Sequence, residues 1–136
     1  MNCKIHRYTL TILEHHLDTF GHVNNATYLQ ILEEARWDFI TSRGFGLKEV
    51  MEMQKGPIVL EINMKFLKEI KLRQNIIVES QTISTSRMSA ELRQTILSQD
   101  HVKMFEAKII FGFFDLKLRK LISPTEQWLK AIGVGS

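Results

Sequence analysis

The segment 17–25 contains residue types that could perform acyl-transfer chemistry. It reads Leu-Asp-Thr-Phe-Gly-His-Val-Asn-Asn and leads directly into a strongly helix-forming stretch. Asp18 therefore precedes a helix start, and Gly21 lets the backbone turn sharply between them. The first amides of a helix have no intrahelical acceptor and lie at the positive end of its dipole. A carboxylate beside such amides can attack a carbonyl or activate water, while the amides stabilise the resulting oxyanion.

The same residues also have a purely structural interpretation. An aspartate before a helix is commonly a cap or turn residue, and Asn24 and Asn25 could serve only as helix caps. His22 suggests an imidazole–carboxylate pair with Asp18, with loop ordering or pocket lining as the alternatives. The residues by themselves leave these alternatives open.

A longer motif in this region resembles the signature of a known enzyme family. The motif begins with Asp18, Gly21, His22, Val23, Asn24, Asn25 and Tyr28. It continues along the predicted helix as Glu33-Glu34-Ala35-Arg36. It is similar to the signature of the hotdog-fold acyl-CoA thioesterases, and most similar to that of the 4-hydroxybenzoyl-CoA thioesterase-like branch. The resemblance implies hydrolysis of a thioester to a free acid and CoA, without a metal or redox cofactor.

The resemblance also implies roles for individual residues. The carboxylate of Asp18 would attack the thioester carbonyl, giving a mixed anhydride, or would activate water for direct attack. The backbone N–H of Asn25 would bind the carbonyl oxygen, and Gly21 would allow a close approach of substrate or chain. The predicted catalytic set is Asp18, Asn25, Gly21 and His22, and the predicted substrate-binding residues are Asn24, Tyr28, Ser86 and Arg87.

Basic residues around the predicted strand turns are candidates for binding the CoA phosphates. Arg87 is the strongest of them, because the family commonly places CoA contacts near this strand junction. For each lysine the alternative is a solvated edge that discourages strand pairing. The turn at Arg73-Gln74 departs from the Gly-Asp of many relatives, which leaves its shape open. The other members of the cluster are Lys65, Lys68 and Lys71.

Several other reactive residues fit competing chemistries less well. Glu33 is a secondary candidate for the base and is expected to pair with Arg36 or a backbone group. His15 and His16 are adjacent on a probable strand end, so they would point to opposite faces and do not form a metal site. The serine-rich segment 84–89 lacks a nucleophile elbow, which argues against a serine hydrolase.

Composition excludes several broad classes. The 136 residues are 44% hydrophobic and 24% charged, which is typical of one globular domain, here residues 1–136. The single cysteine, Cys3, rules out an internal disulfide and favours a reducing cytoplasm. No apolar run is long enough to cross a bilayer. No phosphate-binding glycine loop is present, and aromatic residues do not alternate with basic ones as in a nucleic-acid platform.

Hydrophobic periodicity predicts the elements that would position these residues. Tyr8, Leu10 and Ile12 indicate a first strand, and residues 24–43 a helix with a wide apolar stripe that Gly44 ends. From Gly56 the period changes to two, and strands are predicted at 56–66, 74–86, 88–98 and 102–116. Pro124 opens a short terminal helix. One long helix followed by meandering strands predicts an α+β fold, with an antiparallel sheet wrapped around a central helix, as in the hotdog fold.

The resemblance extends to assembly and partners. Hotdog sites are generally made between subunits, so a homodimer or homotetramer is expected. The substrate carrier would be CoA or an acyl carrier protein, and the acyl group is not specified by sequence. A hotdog dehydratase or hydratase would place a histidine and an acid in a different motif. A non-catalytic acyl-CoA or carrier-protein binding module remains the other alternative.

Overall fold

Six strands form one antiparallel sheet in the computed structural model, which describes residues 3–135. The sheet order is β1-β3-β4-β5-β2, and β6 pairs with the end of β5 beyond the last β4 pair. The strands are β1 (Ile5–Thr11), β2 (Lys55–Phe66), β3 (Asn75–Thr85), β4 (Ala90–Ser98), β5 (Lys103–Asp115) and β6 (Lys120–Ile122). The helices are α1 (Asn25–Ser42), α2 (Leu47–Met53) and α3 (Glu126–Ala131), and Glu14–His16 forms a 3-10 turn.

The long helix α1 is the element that the hydrophobic stripe predicted. Asn24 caps its start, Arg43 its end, and Gly44 follows with a φ of 92° that favours glycine. The side chains of the predicted stripe are buried against the sheet, and they are Tyr28, Ile31, Leu32, Ala35 and Phe39, together with Ile40. The predicted α+β arrangement of one helix against an antiparallel sheet is therefore confirmed.

The helix lies over the β1 and β3 side of the sheet rather than over its middle. Two polar contacts fix it there: the Tyr8 hydroxyl donates to Glu34, and His6 Nε2 lies 2.7 Å from Asp38 Oδ2. Glu34 and Asp38 are thus tied to β1 instead of lying free on a solvated face. The opposite flank of α1, above β5 and β2, is left open.

Strand β2 contains a bulge that corrects the predicted facing of its side chains. Strict alternation from Ile58 to Phe66 would place Leu60 inward with Ile62. The register with β5 instead shifts between Val59 and Glu61, so Leu60 is the extra residue. Val59 pairs with the buried Phe111 and so lies on the same face of the sheet as Ile62, although its place on the edge strand leaves it 41% exposed. Leu60, which has no partner on β5, is 47% exposed. Periodicity alone cannot locate a one-residue insertion of this kind.

Three short elements were absent from the sequence prediction, namely α2, β6 and the 3-10 turn. The start of α2 does carry a local signal, because the N–H of the N-cap Gly46 donates to Glu49 Oε1 at 2.8 Å, which is the half of a capping box that a glycine can make. The predicted turns around Ser86 and Asp100 are confirmed, while β4 begins at Ala90 rather than at Met88. These differences leave the position of the long helix unchanged.

Candidate active site

The loop before α1 closes on itself through its backbone. Leu17 and Val23 form an antiparallel bridge, the Asp18 N–H donates to the His22 carbonyl at 2.8 Å, and the Gly21 N–H donates to the Asp18 carbonyl at 3.1 Å. Gly21 has a φ of 78°, in the region that L side chains rarely adopt. The sequence folds in this way because a glycine stands where the tight reversal requires one.

The carboxylate of Asp18 is half-buried and uses its two oxygens differently. Its Oδ1 accepts the backbone N–H of Phe20 at 2.9 Å and that of His22 at 3.1 Å. Its Oδ2 has no hydrogen-bond partner among residues 3–135. One oxygen therefore holds the loop, and the other is available to a substrate or a water molecule.

The start of α1 leaves one amide without a protein acceptor. Asn24 Oδ1 accepts the Ala26 N–H at 2.8 Å, and the Asn24 carbonyl accepts the N–H groups of Thr27 and Tyr28. Within the described chain, no acceptor is found for the N–H of Asn25, the first helical residue. This amide lies at the positive end of the helix dipole, where it favours a negatively charged oxygen. Asn24, predicted to bind substrate, has its side-chain oxygen engaged as the helix cap.

The imidazole of His22 does not contact the Asp18 carboxylate through any hydrogen bond found in residues 3–135. Its Nε2 lies 3.8 Å from Glu69 Oε1, and both side chains are exposed. His22 contributes to the loop through its backbone, since its N–H and carbonyl both bond to Asp18. In this structure the backbone of His22, and not its imidazole, helps to hold the loop in shape.

Tyr28, in the first turn of α1, belongs to an aromatic cluster. Its ring is stacked on Phe105, with centroids 4.7 Å apart, and meets the edge of Phe66 at 5.0 Å. Burial raises the pKa of the Tyr28 phenol, and the nearby charge of Glu69 raises it further. The cluster ties the end of β2 to the start of α1.

The preceding segment also packs on this end of the sheet. The Leu13 N–H donates to His16 Nδ1 at 2.8 Å, and burial, the largest effect, lowers the pKa of His16. Arg73 adopts a φ of 64° in the turn before β3, and its guanidinium holds Glu14 through contacts of 2.6–3.1 Å. Arg73 thus adopts the left-handed backbone conformation in this turn although it is not a glycine.

Ser86 and Arg87 lie far from Asp18 in the same chain. Asn75, the first residue of β3, pairs with Thr11 beside the Asp18 loop, and the turn carrying Arg87 follows the other end of β3. The first and last residues of β3 are ten positions apart, which corresponds to about 33 Å of extended strand. Ser86 Oγ lies 2.8 Å from Ser89 Oγ and closes this turn, whereas the Arg87 side chain is exposed. One protomer does not bring the two predicted sites together.

A cavity of about 240 Å³, here called the α1 cavity, lies on the open flank of the helix. Its walls come from α1, from β4 and β5, from the first half of β2, and from the C-terminal segment. Most of the lining is apolar. Two charged residues are the exceptions, Glu33 and Arg36: Glu33 is exposed, whereas Arg36 is half-buried and its Nη1 donates to Gln94 Oε1 at 3.0 Å. Burial lowers the pKa of Arg36, and the charge of Glu33 opposes this effect.

Gln94 is a buried polar residue that sequence reasoning missed. Its side chain is fully buried, and its Nε2 donates to the Leu32 carbonyl at 3.1 Å and to Ser80 Oγ at 3.0 Å. Arg36 therefore bonds to Gln94 rather than pairing with Glu33 as expected. The available signal was Arg36 itself, a charged residue four positions after Leu32 on the apolar stripe.

Comparison with known proteins shows the family to which the chain belongs. Residues 12–132 match the family described as the thioesterase-like superfamily. The chain belongs to this superfamily. Within it, the chain is 32% identical over 110 residues to the long-chain acyl-CoA thioesterase FadM of Escherichia coli, covering 80% of this chain and 83% of FadM. It is 28% identical over 123 residues to the chloroplastic acyl-acyl carrier protein thioesterase ATL3 of Arabidopsis thaliana.

The match to ATL3 covers 90% of this chain but only 65% of ATL3, so the chain spans just under two thirds of that relative's length. Among solved structures, the probable thioesterase YbaW of E. coli superposes with a TM-score of 0.80 at 27% identity, covering 92% of this chain and 94% of YbaW. A Staphylococcus aureus protein solved in complex with CoA superposes with a TM-score of 0.87 at 20% identity, covering 97% and 84% of the two chains. These superpositions confirm the hotdog fold.

Two further observations concern other kinds of site. Across residues 3–135, no three His, Cys, Asp or Glu side chains are grouped so that they could hold a metal ion. None of the helices in that range is long and apolar enough to span a membrane.

Proposed function

We propose that this member of the superfamily hydrolyses acyl thioesters of CoA to a free acid and CoA. The observation that carries the proposal is the juxtaposition of two groups in one short loop. Asp18 presents one unpaired carboxylate oxygen, and the helix that starts seven residues later presents the unpaired N–H of Asn25. A thioester carbonyl between them would meet a nucleophile or base on one side and an oxyanion donor on the other.

The two groups act in sequence on the thioester. Asp18 Oδ2 attacks the carbonyl carbon, or removes a proton from a water molecule that attacks it. The carbonyl π electrons move to oxygen, where the Asn25 N–H stabilises the negative charge. When the carbonyl re-forms, the C–S bond breaks and CoA leaves as a thiolate that takes up a proton. In the nucleophilic route, water then hydrolyses the mixed anhydride and regenerates Asp18.

The unpaired edge of β2 supports a homodimer. Among the described strands β2 pairs only with β5, and its outer edge is open along 12 residues, with Val59 and Leu60 both exposed. An open edge of this length favours pairing with another chain. Antiparallel pairing of two β2 strands about a two-fold axis would bury this edge.

Such a dimer would place the catalytic loop of one protomer beside the α1 cavity of the other. Phe66 at the end of β2 contacts Tyr28 at the helix start, whereas Pro57 and Val59 at the beginning of β2 line the cavity. Antiparallel pairing sets the end of one β2 against the beginning of the other. The thioester would then be cleaved at Asp18 of one protomer while its acyl group occupies the cavity of the partner.

The same arrangement brings Arg87 into range of the CoA moiety. The two-fold axis reverses the direction of the sheet, so the Arg87 end of one protomer lies at the Asp18 end of the other. Arg87 would thus contact a CoA phosphate across the interface, although it lies about 33 Å from Asp18 along β3 of its own chain. Position and charge support this assignment, since the Arg87 side chain is exposed and makes no ion pair among residues 3–135.

Turnover of a thioester panel by the wild-type protein and by Asp18→Asn tests the proposal. Asparagine retains an Oδ1 that accepts the Phe20 and His22 amides, so the loop is kept while the nucleophile or base is lost. We expect a loss of kcat of about a hundredfold or more. The panel should contain aliphatic and aromatic acyl-CoA substrates, because the 4-hydroxybenzoyl-CoA thioesterase-like branch is proposed on the motif, and one acyl carrier protein thioester. Absence of turnover on the whole panel, or wild-type kcat in Asp18→Asn, would refute the proposal.

A further inference from the structure

The α1 cavity combines a mostly apolar lining with two charged residues, the exposed Glu33 and the half-buried Arg36. We infer that Arg36 is a specificity-determining residue that binds an oxygen atom carried on the acyl group, remote from the thioester. This inference rests on the proposed function, since it assigns the acyl end of the substrate to the cavity. It goes further by selecting a class of acyl group, namely one that carries a neutral hydroxyl or oxo oxygen near its far end, because Glu33 in the same lining disfavours a second anion.

The hydrogen bonds of Arg36 leave most of its donors unused. A guanidinium has five N–H donors. Within residues 3–135 the one hydrogen bond found for this group goes to Gln94, which is neutral, and no carboxylate oxygen lies within 4.0 Å. Glu33 acts on Arg36 only as a charge at longer range. A guanidinium that is partly shielded from water gains more from an oxygen acceptor on a ligand than a fully exposed one does.

Apart from the charged residues, the lining of the cavity suits a hydrocarbon. Trp37, Phe111 and Trp128 form aromatic walls, and Leu92 and Ile40 add aliphatic surface. Pockets with mostly apolar walls and one placed polar group are typical of small-molecule sites, where the polar group fixes orientation. An acyl chain would therefore be held along its length by these walls and oriented by Arg36.

The size of the α1 cavity suits an acyl group rather than a whole CoA conjugate. Its 240 Å³ is slightly below the range of about 300–1,000 Å³ that is typical of small-molecule pockets. A medium-length acyl chain is therefore a suitable probe.

A different role for Arg36 would be purely structural, with its bond to Gln94 joining α1 to β4. Gln94 is held independently by Leu32 and Ser80, so this bond is not needed to keep Gln94 in place. The two roles predict different responses to a change of ligand. A structural role would alter the binding of every ligand alike, whereas a specificity role would alter the ratio between oxygenated and plain acyl groups.

Binding to the Asp18→Asn protein can be followed by intrinsic fluorescence, because the chain has two tryptophans and both line the cavity. The ligands are octanoyl-CoA and 8-hydroxyoctanoyl-CoA, with a free-thiol assay to verify that each thioester stays intact. We expect the hydroxylated ligand to bind more tightly. In Asp18→Asn/Arg36→Met the ratio of the two Kd values should fall about tenfold, equivalent to 1.4 kcal/mol.

The matched control is Asp18→Asn/Arg93→Met. Arg93 precedes Gln94 on β4 but is exposed, 3.7 Å from Glu106, and its removal should leave the Kd ratio unchanged. An unchanged ratio in the Arg36→Met protein would overturn the inference. If Arg36→Met does not fold, equal binding of the two ligands to Asp18→Asn itself would do so. Because binding is measured without turnover, failure of the hydrolysis proposal would appear separately, as inactivity of the wild-type protein.

Discussion

Asn24 Oδ1 accepts the backbone N–H of Ala26 at 2.8 Å, and this contact leaves the intervening N–H of Asn25 unpaired. The cap thus satisfies the second amide of α1 and leaves the first for a ligand. Asn24 is thus the N-cap, and Asn25, the first helical residue, presents a backbone N–H that has no acceptor within residues 3–135.

Asn25→Pro should abolish the oxyanion donor while preserving the helix. Proline is well tolerated at the first helical position, and Asn24, with a φ of −66° and a ψ of 146°, already has the conformation that precedes proline. Loss of one oxyanion donor lowers kcat by about 10²–10³-fold. The control Asn25→Ala keeps the N–H and should retain activity within a few-fold. Equal kcat values for the two variants in steady-state assays would remove Asn25 from the mechanism.

Arg87→Ala should raise KM for acyl-CoA more than it lowers kcat. A phosphate contact remote from the thioester contributes similarly to the ground and transition states. A charge-assisted contact is worth about 1.5–3 kcal/mol, so kcat/KM should fall about tenfold or more. The measurement is a kinetic comparison of acyl-CoA with a truncated acyl-pantetheine.

The truncated substrate decides between the roles of Arg87, because it carries no phosphate for the arginine to bind. It should be hydrolysed equally well by Arg87→Ala and by the wild-type protein. Arg93→Ala, which removes a different exposed arginine, should affect neither substrate. A similar loss on both substrates would mean that Arg87 shapes the fold or the catalytic centre. No change on either would leave it as a solvated surface residue.

Both tyrosines should resist ionisation in the folded protein. The hydrogen bond to Glu34 raises the pKa of Tyr8 to about 12, and burial raises the pKa of Tyr28. Because the folded pKa of Tyr8 exceeds that of the unfolded chain, about 10, its stabilising contribution is present below pH 10. It is lost as the pH rises through the folded value of about 12. Ultraviolet titration of tyrosinate should therefore show little ionisation near pH 10 until the protein unfolds.

Glu34→Gln tests the cause of this shift, since it removes the charge beside Tyr8 and leaves Tyr28 in its aromatic cluster. One of the two phenols should then titrate at lower pH than in the wild-type protein. An unchanged titration curve would show that the Tyr8–Glu34 contact does not control the ionisation of Tyr8.

The long helix and the sheet were predictable from the sequence because each follows a period. The stripe from Tyr28 to Phe39 repeats at helical spacing, and the strands alternate. The bulge at Leu60 was not predictable, since one extra residue reverses the facing of a strand without a local signal in its composition. α2 was missed although Glu49 stands three residues after the N-cap Gly46, because the segment is short and five of its seven residues are exposed.

The candidate site was predictable only in part, for a similar reason. Asp18 and Asn25 lie close in sequence, so their juxtaposition follows from a turn and a helix start. Arg36 and Gln94 are 58 residues apart, and their hydrogen bond depends on how α1 packs against β4. The separation of Asp18 from Arg87 likewise depends on strand order, which local patterns do not define.

The central claim is that Asp18 of one protomer acts on a thioester whose acyl group lies in the α1 cavity of its partner, and mixed dimers test it most directly. Asp18→Asn retains the cavity, whereas Val59→Trp would fill its mouth at a partly exposed strand position and retain Asp18. Each variant alone should be nearly inactive, with assembly verified by sedimentation.

The decisive measurement is the turnover of an equimolar mixture of Asp18→Asn and Val59→Trp after dissociation and reassembly. Half of the dimers would be mixed, and each mixed dimer would contain one site with an intact Asp18 and an intact cavity. Turnover should therefore recover to about a quarter of the wild-type value. Turnover no greater than the average of the two separate variants, with mixed dimers demonstrably present, would contradict a site shared between protomers.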